Sequence, residues 1–356
     1  MRDLDLHAVH AAVTGGSILA AGGGGWVDHG MLVGTTAVQS GTPRLATLDE
    51  IDPDAMIATV SAIGAPAAKD WQMLPEDYVR ALRLLIDAVD EPIVGTVTAQ
   101  NGSSTTCNGW VASAVLGTLV IDAAGDGRAH PTGKMGSFGL AADDDYQTVQ
   151  AVAGGNRAQN RYLEVVTRGT VRHTANVLRT AATESGGFIA CARNPLPASF
   201  VAAHAAVGAI SFALGLGEAL LAAEDRGAEA VIDAAVQHLG GAILARGVVR
   251  TKELRTEHAF DIGRIEIGEL ELGFVNEYLT AESAGERVAT FPDVLATLST
   301  ANGRIISIAN IAVGDEVAVL HVPKARVPLG DGVREPSVYP EVEAMLGKPL
   351  AQYALA

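Results

Sequence analysis

A strand–helix–strand succession constrains the fold of this chain more than any other feature of the sequence. Residues 92–99 (PIVGTVTA) and 118–123 (TLVIDA) are β-branched apolar runs with the length of buried strands, and residues 106–116 between them have helical spacing. Two strands joined through one helix favour parallel pairing in an α/β layer. We therefore predict an α/β N-terminal domain with a mostly parallel sheet.

The sequence pattern changes after residue 247. Short alternating apolar runs, broken by Gly, Asp and Pro, continue to residue 322 and predict a second, β-rich domain. Between the two regions the pattern is mostly helical, with a strand-like run at 188–192. We assign residues 1–165 to the α/β domain, 166–245 to a helical connecting region packed on it, and 246–356 to the β-rich domain. A chain of 356 residues is long enough for two cores.

Charge and cysteine content exclude several classes of function. A net charge of −16 repels nucleic acid and anionic lipid, so we expect neither a nucleic-acid nor a membrane partner. The two cysteines are far apart, which excludes a disulfide framework and favours a reducing cytoplasm. The apolar run 198–223 contains His204 and Glu218 and is read as buried helix rather than a membrane span. Such apolar helices fit a homo-oligomer or a thick monomer core equally well.

Four consecutive glycines follow the first helical segment. They are Gly22, Gly23, Gly24 and Gly25. No strand leads into them and no lysine follows before Lys69, so they are neither a phosphate loop nor a dinucleotide fingerprint. Two interpretations remain: their backbone amides approach a small ligand, or they only permit a tight turn and close helix packing.

Ionisable residues gather directly after the second strand of the α/β unit. Asp122, Asp126, Arg128, His130 and Lys134 lie within thirteen residues. The carboxyl ends of parallel strands are where such sheets bind ligands. His130, oriented by Asp122 or Asp126, could move protons, and Arg128 could hold a carboxylate or polarise a carbonyl. The alternative is a polar turn in which the acids pair with Arg128.

A Gly-Ser loop, residues 100–109, connects the first strand to its helix. Cys107 lies near the predicted helix N-terminus, where the dipole would favour a nucleophilic thiolate; the alternative is a small buried residue. The loop hydroxyls could cap the helix or bind a polar ring. A divalent metal held by His29, His130 and a carboxylate is a further hypothesis, although no spacing in the sequence requires it.

Taken together, these motifs resemble the S-methyl thiohydantoin desulfurase family, which was long catalogued as a domain of unknown function. The first half carries AAGGGGW, a strand ending in Gly64-Ala65-Pro66, the Gly-Ser loop and GDGRAHP. The second half resembles that family's second domain through GAISFALGLGEAL, FDIGRIEI, Asn276-Glu277 and FPDVL. The resemblance spans nearly the whole chain.

Two motifs depart from the usual family pattern. In the loop, usually Glu-x-Gly-Gly-x-Asn, the outer positions are Gln100 and Thr105, and Ser103 replaces the second Gly. The second motif is usually Asp-x-Asp-Gly-x-Gly-Arg-Ala-Phe-Pro-Glu, and here Ala124, His130 and Thr132 replace an Asp, the aromatic and the final Glu. Three carboxylates are lost and one imidazole is gained.

The resemblance implies hydrolysis of the C–S bond of a five-membered ring thioimidate, with release of methanethiol. His130 with Asp122 would do the proton work, and Cys107 is an alternative nucleophile. No cofactor is firmly implied. The partner is a small heterocycle, and the residues expected to bind it are Gly22, Gly23, Gly24, Gly25, Gln100, Thr105, Asn108, Asp126, Arg128, Asn276 and Glu277. A ring-amide hydrolase and an inactive heterocycle-binding protein remain as alternatives.

Overall fold

Nine strands form the first sheet of the computed structural model, which describes residues 1–356. They are β1 (Arg2–Asp3), β2 (Arg44–Ala46), β3 (Met56–Gly64), β4 (Ile93–Thr98), β5 (Leu119–Ala124), β6 (Thr148–Gly154), β7 (Leu163–Gly169), β8 (Phe188–Pro197) and β9 (Ala206–Val207). The order is β1-β2-β5-β4-β3-β8-β6-β7, and β9 pairs with β5. Strands β2, β5, β4 and β3 are parallel, which confirms the predicted pairing of β4 with β5. The strands flanking this group are antiparallel.

Seven antiparallel strands form the second sheet. They are β10 (Ala242–Glu257), β11 (Phe260–Ile267), β12 (Leu270–Val275), β13 (Glu277–Ser283), β14 (Glu286–Thr290), β15 (Val294–Ser299) and β16 (Glu316–Val322). Their order is β14-β13-β12-β11-β10-β16-β15. The predicted combination of an α/β domain with a β-rich second domain is confirmed.

Ten α-helices complete the fold. They are α1 (Leu6–Leu19), α2 (Val27–Ser40), α3 (Pro75–Ile86), α4 (Trp110–Leu116), α5 (Val171–Glu184), α6 (Ala198–His204), α7 (Ala209–Leu221), α8 (Ala228–Leu239), α9 (Tyr339–Leu346) and α10 (Ala351–Ala354). Helices α1 and α7 cross with their backbones nearly in contact. A Cβ added at Gly15 would lie 2.0 Å from the Ala213 carbonyl oxygen, and one at Gly217 would lie 1.8 Å from that of Ala11. This crossing fixes the end of α1, from which the glycine run departs.

Local structure departs from the simple sequence pattern at three places. Helix α1 continues through Thr14-Gly15-Gly16, because packing against α7 outweighs the poor helix propensity of glycine. The region after residue 155 contains strand β7 and the whole of β8, so residues 166–245 contribute to the sheet as well as helices. Residues 304–308 form one isolated bridge, Leu298 with Ile305, rather than a strand. No helix is long and apolar enough to cross a membrane.

Candidate active site

A cleft containing about 520 Å³ of empty space lies where the α/β domain meets the start of β13. Its walls come from the ends of β3 and β4, the Gly-Ser loop, the segment after β5, strand β8 and the glycine run. Eight of the expected site residues line it, namely Gly24, Gly25, Gln100, Thr105, Asn108, His130, Asn276 and Glu277. The sheet topology thus brings together motifs that are more than 250 residues apart in the sequence.

The glycine run forms one wall of the cleft and also joins the two domains. Gly22, Gly24 and Gly25 have φ values of 86°, 64° and 83°, in the left-handed region that favours glycine. The Gly22 carbonyl accepts a hydrogen bond from the Ile308 amide at 2.9 Å, and a Cβ on Gly23 would lie 2.6 Å from Glu277 Oε1. Only Gly24 and Gly25 reach the cleft, so the expectation that Gly22 and Gly23 bind ligand is corrected.

The Gly-Ser loop contributes the side-chain amide of Asn108 and the hydroxyl of Thr105 to the lining of the cleft. A single 3₁₀ turn spans Thr105–Cys107, and the Thr98 hydroxyl donates to the Thr105 carbonyl at 2.5 Å. The Asn108 side-chain carbonyl accepts from the Tyr78 hydroxyl at 3.0 Å. Gln100 Oε1 accepts from the backbone amide of His130 at 2.9 Å and thereby links this loop to the segment after β5.

His130 is a buried imidazole in the cleft wall. Burial is the main cause that lowers its pKa well below the usual range, and the charges of Arg193 and Arg128 act in the same direction. The ring is therefore neutral at physiological pH, and its Nδ1 forms no hydrogen bond with the protein. Asp126 Oδ2 lies 3.8 Å from that nitrogen, too far for a hydrogen bond. Burial raises the pKa of Asp126 well above its usual range, which favours the uncharged acid.

Glu277 supplies the ionisable carboxyl of the cleft. Burial raises its pKa from 4.5 to about 8, although Arg128 and the Gly24 amide pull it downward. Its Oε2 forms no hydrogen bond with the protein. The preceding residue, Asn276, has φ 59° and its side-chain carbonyl accepts from the Asp261 amide at 2.9 Å, which fixes the turn into β13. At pH 7 Glu277 is therefore mostly protonated, and His130 in the same cleft is neutral.

Buried polar atoms without a protein partner are concentrated in this cleft. Seven of the fourteen in the structure belong to its lining: Ser61 Oγ, Thr105 Oγ1, Asn108 Nδ2, His130 Nδ1, Thr132 Oγ1, Arg193 Nε and Glu277 Oε2. Leaving such a group unpaired costs about 1–3 kcal/mol, so each one calls for an explanation, such as a bound water, ion or ligand. Their convergence identifies the cleft as the candidate ligand site.

The structure corrects the roles that the sequence suggested for Asp122 and Cys107. Asp122 lies outside the cleft, where its oxygens accept hydrogen bonds from the amide and hydroxyl of Ser211 at 2.9 and 2.6 Å. It therefore stabilises the first turn of α7 and does not orient His130. Cys107 is fully buried in the apolar core, and burial raises the pKa of its thiol. These surroundings contradict an activated thiolate and agree with the alternative interpretation, a small buried residue.

Arg128 holds the two domains together instead of binding ligand. Its guanidinium donates to the carbonyls of Asp293 at 2.5 Å and Tyr278 at 3.3 Å, and lies 4.7 Å from the centre of the Phe291 ring. Neither Arg128 nor Asp126 lines the cleft. Their predicted substrate contacts are corrected, because both side chains are directed into the interior around the domain junction.

The hypothesis of a metal bound by His29, His130 and a carboxylate finds no matching donor set. No group of three or more His, Cys, Asp or Glu side chains is arranged to bind a metal ion. His29 lies 3.4 Å from the Tyr78 hydroxyl and packs edge-on against Trp26 and Trp71. Burial lowers the pKa of His29 to about 4.

Sequence reasoning missed four polar residues of the cleft as ligand-binding candidates: Ser61, Thr132, Arg179 and Arg193. Arg193 follows directly on the apolar run FIACA in β8, and a charge in such a strand was a usable signal. Arg179 is on the amphipathic helix α5, where an arginine is unremarkable in sequence.

The fold and the cleft define a two-domain protein whose ligand site is built by an α/β domain and an antiparallel β domain. Family models described as S-Me-THD-like, N-terminal domain, and S-Me-THD-like, C-terminal domain, match residues 7–163 and 170–327. The chain belongs to the S-Me-THD-like family, which confirms the resemblance seen in its motifs.

One solved structure has the same fold throughout. It is a crystal structure of a protein from Chromobacterium violaceum, with a TM-score of 0.74 and 22% sequence identity over 99% of each chain. No protein of curated function matches the chain.

The departures from the usual family motifs fall mainly in the cleft. Gln100, Thr105, His130 and Thr132 all line it, whereas Ser103 and Ala124 do not. The retained Asp122 and Arg128 instead stabilise helix α7 and the domain junction. The scaffold that builds the cleft is kept, while the chemistry of its surface differs.

Proposed function

We propose that this protein hydrolyses the C–S bond of S-methyl thiohydantoin or a related five-membered ring thioimidate. The products are the corresponding hydantoin and methanethiol. The observation that carries the proposal is one cleft containing a carboxyl with a raised pKa, Glu277, and an imidazole with a lowered pKa, His130. Pairs whose environments move their pKa values apart are typical of acid and base in one active site. Membership of the S-Me-THD-like family supports the choice of substrate.

In the proposed reaction Glu277 acts first as the acid. It donates its proton to the imine nitrogen of the ring and makes the carbon that bears the methylthio group more electrophilic. His130 accepts a proton from the attacking water as the new C–O bond forms. When the tetrahedral intermediate collapses, the C–S bond breaks and the leaving sulfur takes the proton from His130. The new hydroxyl returns a proton to Glu277 as it becomes the ring carbonyl.

The remaining unpaired groups are available to hold the ring. Asn108 Nδ2 can donate to a ring carbonyl, and the Thr105 hydroxyl can donate or accept beside it. The positive φ values of Gly24 and Gly25 bring the backbone close to the cleft without side chains. Both cysteines are unpaired, which fits a reducing compartment, and the proposal includes a cytoplasmic location.

Thiol release from S-methyl thiohydantoin, followed with a chromogenic thiol reagent, tests the proposal. We expect release by the wild-type protein and its loss in His130→Ala and Glu277→Gln. The same assay with chelator-treated protein tests whether a divalent metal takes part. A ring-opened carboxylate without thiol would instead identify a ring-amide hydrolase. Thermal stabilisation by hydantoins without any turnover would identify a binding protein.

A further inference from the structure

Arg193 is a buried cation without a compensating anion. It lies on β8 and is only 3% exposed, yet its side chain forms no hydrogen bond or salt bridge with the protein. Its neighbours across the sheet are Thr59 on β3 and Gln150 on β6, and both are neutral. A buried charge is normally paired, so this arrangement needs an explanation.

The surroundings of Arg193 add further positive charge. Arg179 lines the same cleft. Burial is the main cause that lowers its pKa; Glu341 opposes this effect, and the positive charge of Arg193 adds to it. The Arg179 guanidinium donates to the carbonyls of Ala259 and Pro131 and not to a carboxylate. The nearby carboxylate of Glu341 is already paired with Lys134.

A second cavity with about 350 Å³ of empty space adjoins the cleft at these arginines. The two cavities share Ile63, Thr132, Gly133, Arg179 and Arg193. A ring held beside His130 and Glu277 could therefore extend a substituent past Arg193 toward this second cavity.

Thr132 is the position at which the usual family motif ends in Glu. The Arg193 guanidinium lies directly against the next residue, since a Cβ on Gly133 would be 2.0 Å from Arg193 Nη1. A carboxylate at position 132 would therefore stand next to Arg193, whereas the threonine leaves this charge uncompensated.

We infer that Arg193 binds a carboxylate carried by the substrate, so that this chain selects ring compounds with an anionic side arm. The inference rests on the proposed function for the identity of the ring. An arginine guanidinium pairs with a carboxylate through two parallel hydrogen bonds, and this interaction is strongest in a buried site. Arg193 is then a specificity-determining residue.

Equilibrium binding of hydantoin-5-acetic acid and its primary amide, measured by calorimetry, tests this inference without turnover. The wild-type protein should bind the acid at least about 30-fold more tightly than the amide, because a buried charge pair is lost with the amide. Arg193→Gln should abolish this preference. Thr132→Glu should also abolish it, because the new carboxylate would neutralise Arg193 from within the protein.

A surface variant, Arg246→Gln, removes a positive charge from an exposed pair with Glu229 and should keep the preference. Equal affinity of the wild-type protein for acid and amide would overturn the inference, as would a preference that survives in Thr132→Glu. Failure to bind either compound would also overturn it. If Arg193→Gln does not fold, Thr132→Glu decides the question. Absence of thiol release alone would contradict the proposed reaction and leave the binding result standing.

Discussion

Replacing Glu277 by Gln should make the protein more stable, by an amount that grows with pH. Folding raises the pKa of this carboxyl from 4.5 to about 8, so the folded state binds the proton more tightly than the unfolded state. The carboxyl therefore reduces stability as pH rises above 4.5, and the loss is complete above pH 8. At about 1.4 kcal/mol per pKa unit, the full loss is about 5 kcal/mol, and at pH 7 it is about 3 kcal/mol.

Urea unfolding at intervals from pH 4 to pH 9 measures this effect. The free energies of unfolding of wild type and Glu277→Gln should coincide near pH 4 and diverge to about 5 kcal/mol at pH 9. Glu269→Gln is the matched control, because Glu269 is exposed and makes no ion pair or hydrogen bond. Parallel curves for wild type and Glu277→Gln would refute the raised pKa and with it the proposed acid.

The same substitution should remove the proton donor of the reaction. We expect turnover to fall by about 10²- to 10⁴-fold, the usual contribution of a positioned acid. In the wild-type protein activity should decline as pH rises through about 8, because Glu277 then loses its proton. A pH–rate profile that keeps rising above pH 9 would contradict this role.

Three further substitutions separate site from scaffold. Cys107→Ala should keep full turnover and lose about 1 kcal/mol of stability, because the thiol is buried in the core. Loss of turnover in this variant would instead indicate a covalent route through the sulfur. Arg128→Met should cost about 3 kcal/mol or more in urea unfolding, because two carbonyls of the second domain lose a charged donor. Gly24→Ala should be less stable and less active than Gly117→Ala. Both positions have positive φ, but an added Cβ would lie 2.9 Å from Gly102 Cα at Gly24 and would meet nothing within 4 Å at Gly117. Equal thermal unfolding temperatures of the two variants would contradict the close contact at Gly24.

The sequence allowed the position of the site to be predicted because sheet topology determines it. Residues that follow β4 and β5 meet at the carboxyl ends of two parallel strands, and Gln100, Thr105 and His130 do line one cleft. Asn276 and Glu277 were found only through the family resemblance, since nothing in a β-rich pattern indicates which turn faces the other domain.

Side-chain roles were harder to predict than positions. Asp122 lies in β5 and Asp126 just after it, yet the first accepts hydrogen bonds from the start of α7 and the second is buried near His130. Arg128 stabilises the domain junction, where it donates to the carbonyl of Tyr278, 150 positions later in the chain. Arg193 and Arg179 reach the cleft from β8 and α5, elements whose neighbours depend on long-range pairing.

The most direct test of the proposed reaction is the rate of thiol release from S-methyl thiohydantoin by wild-type protein, with Glu277→Gln and Glu269→Gln beside it. The buried cysteines should contribute no signal with the thiol reagent. We predict release at an enzyme-like rate that is lost in Glu277→Gln and kept in Glu269→Gln. No thiol from the wild-type protein, or equal release by Glu277→Gln, would contradict the account.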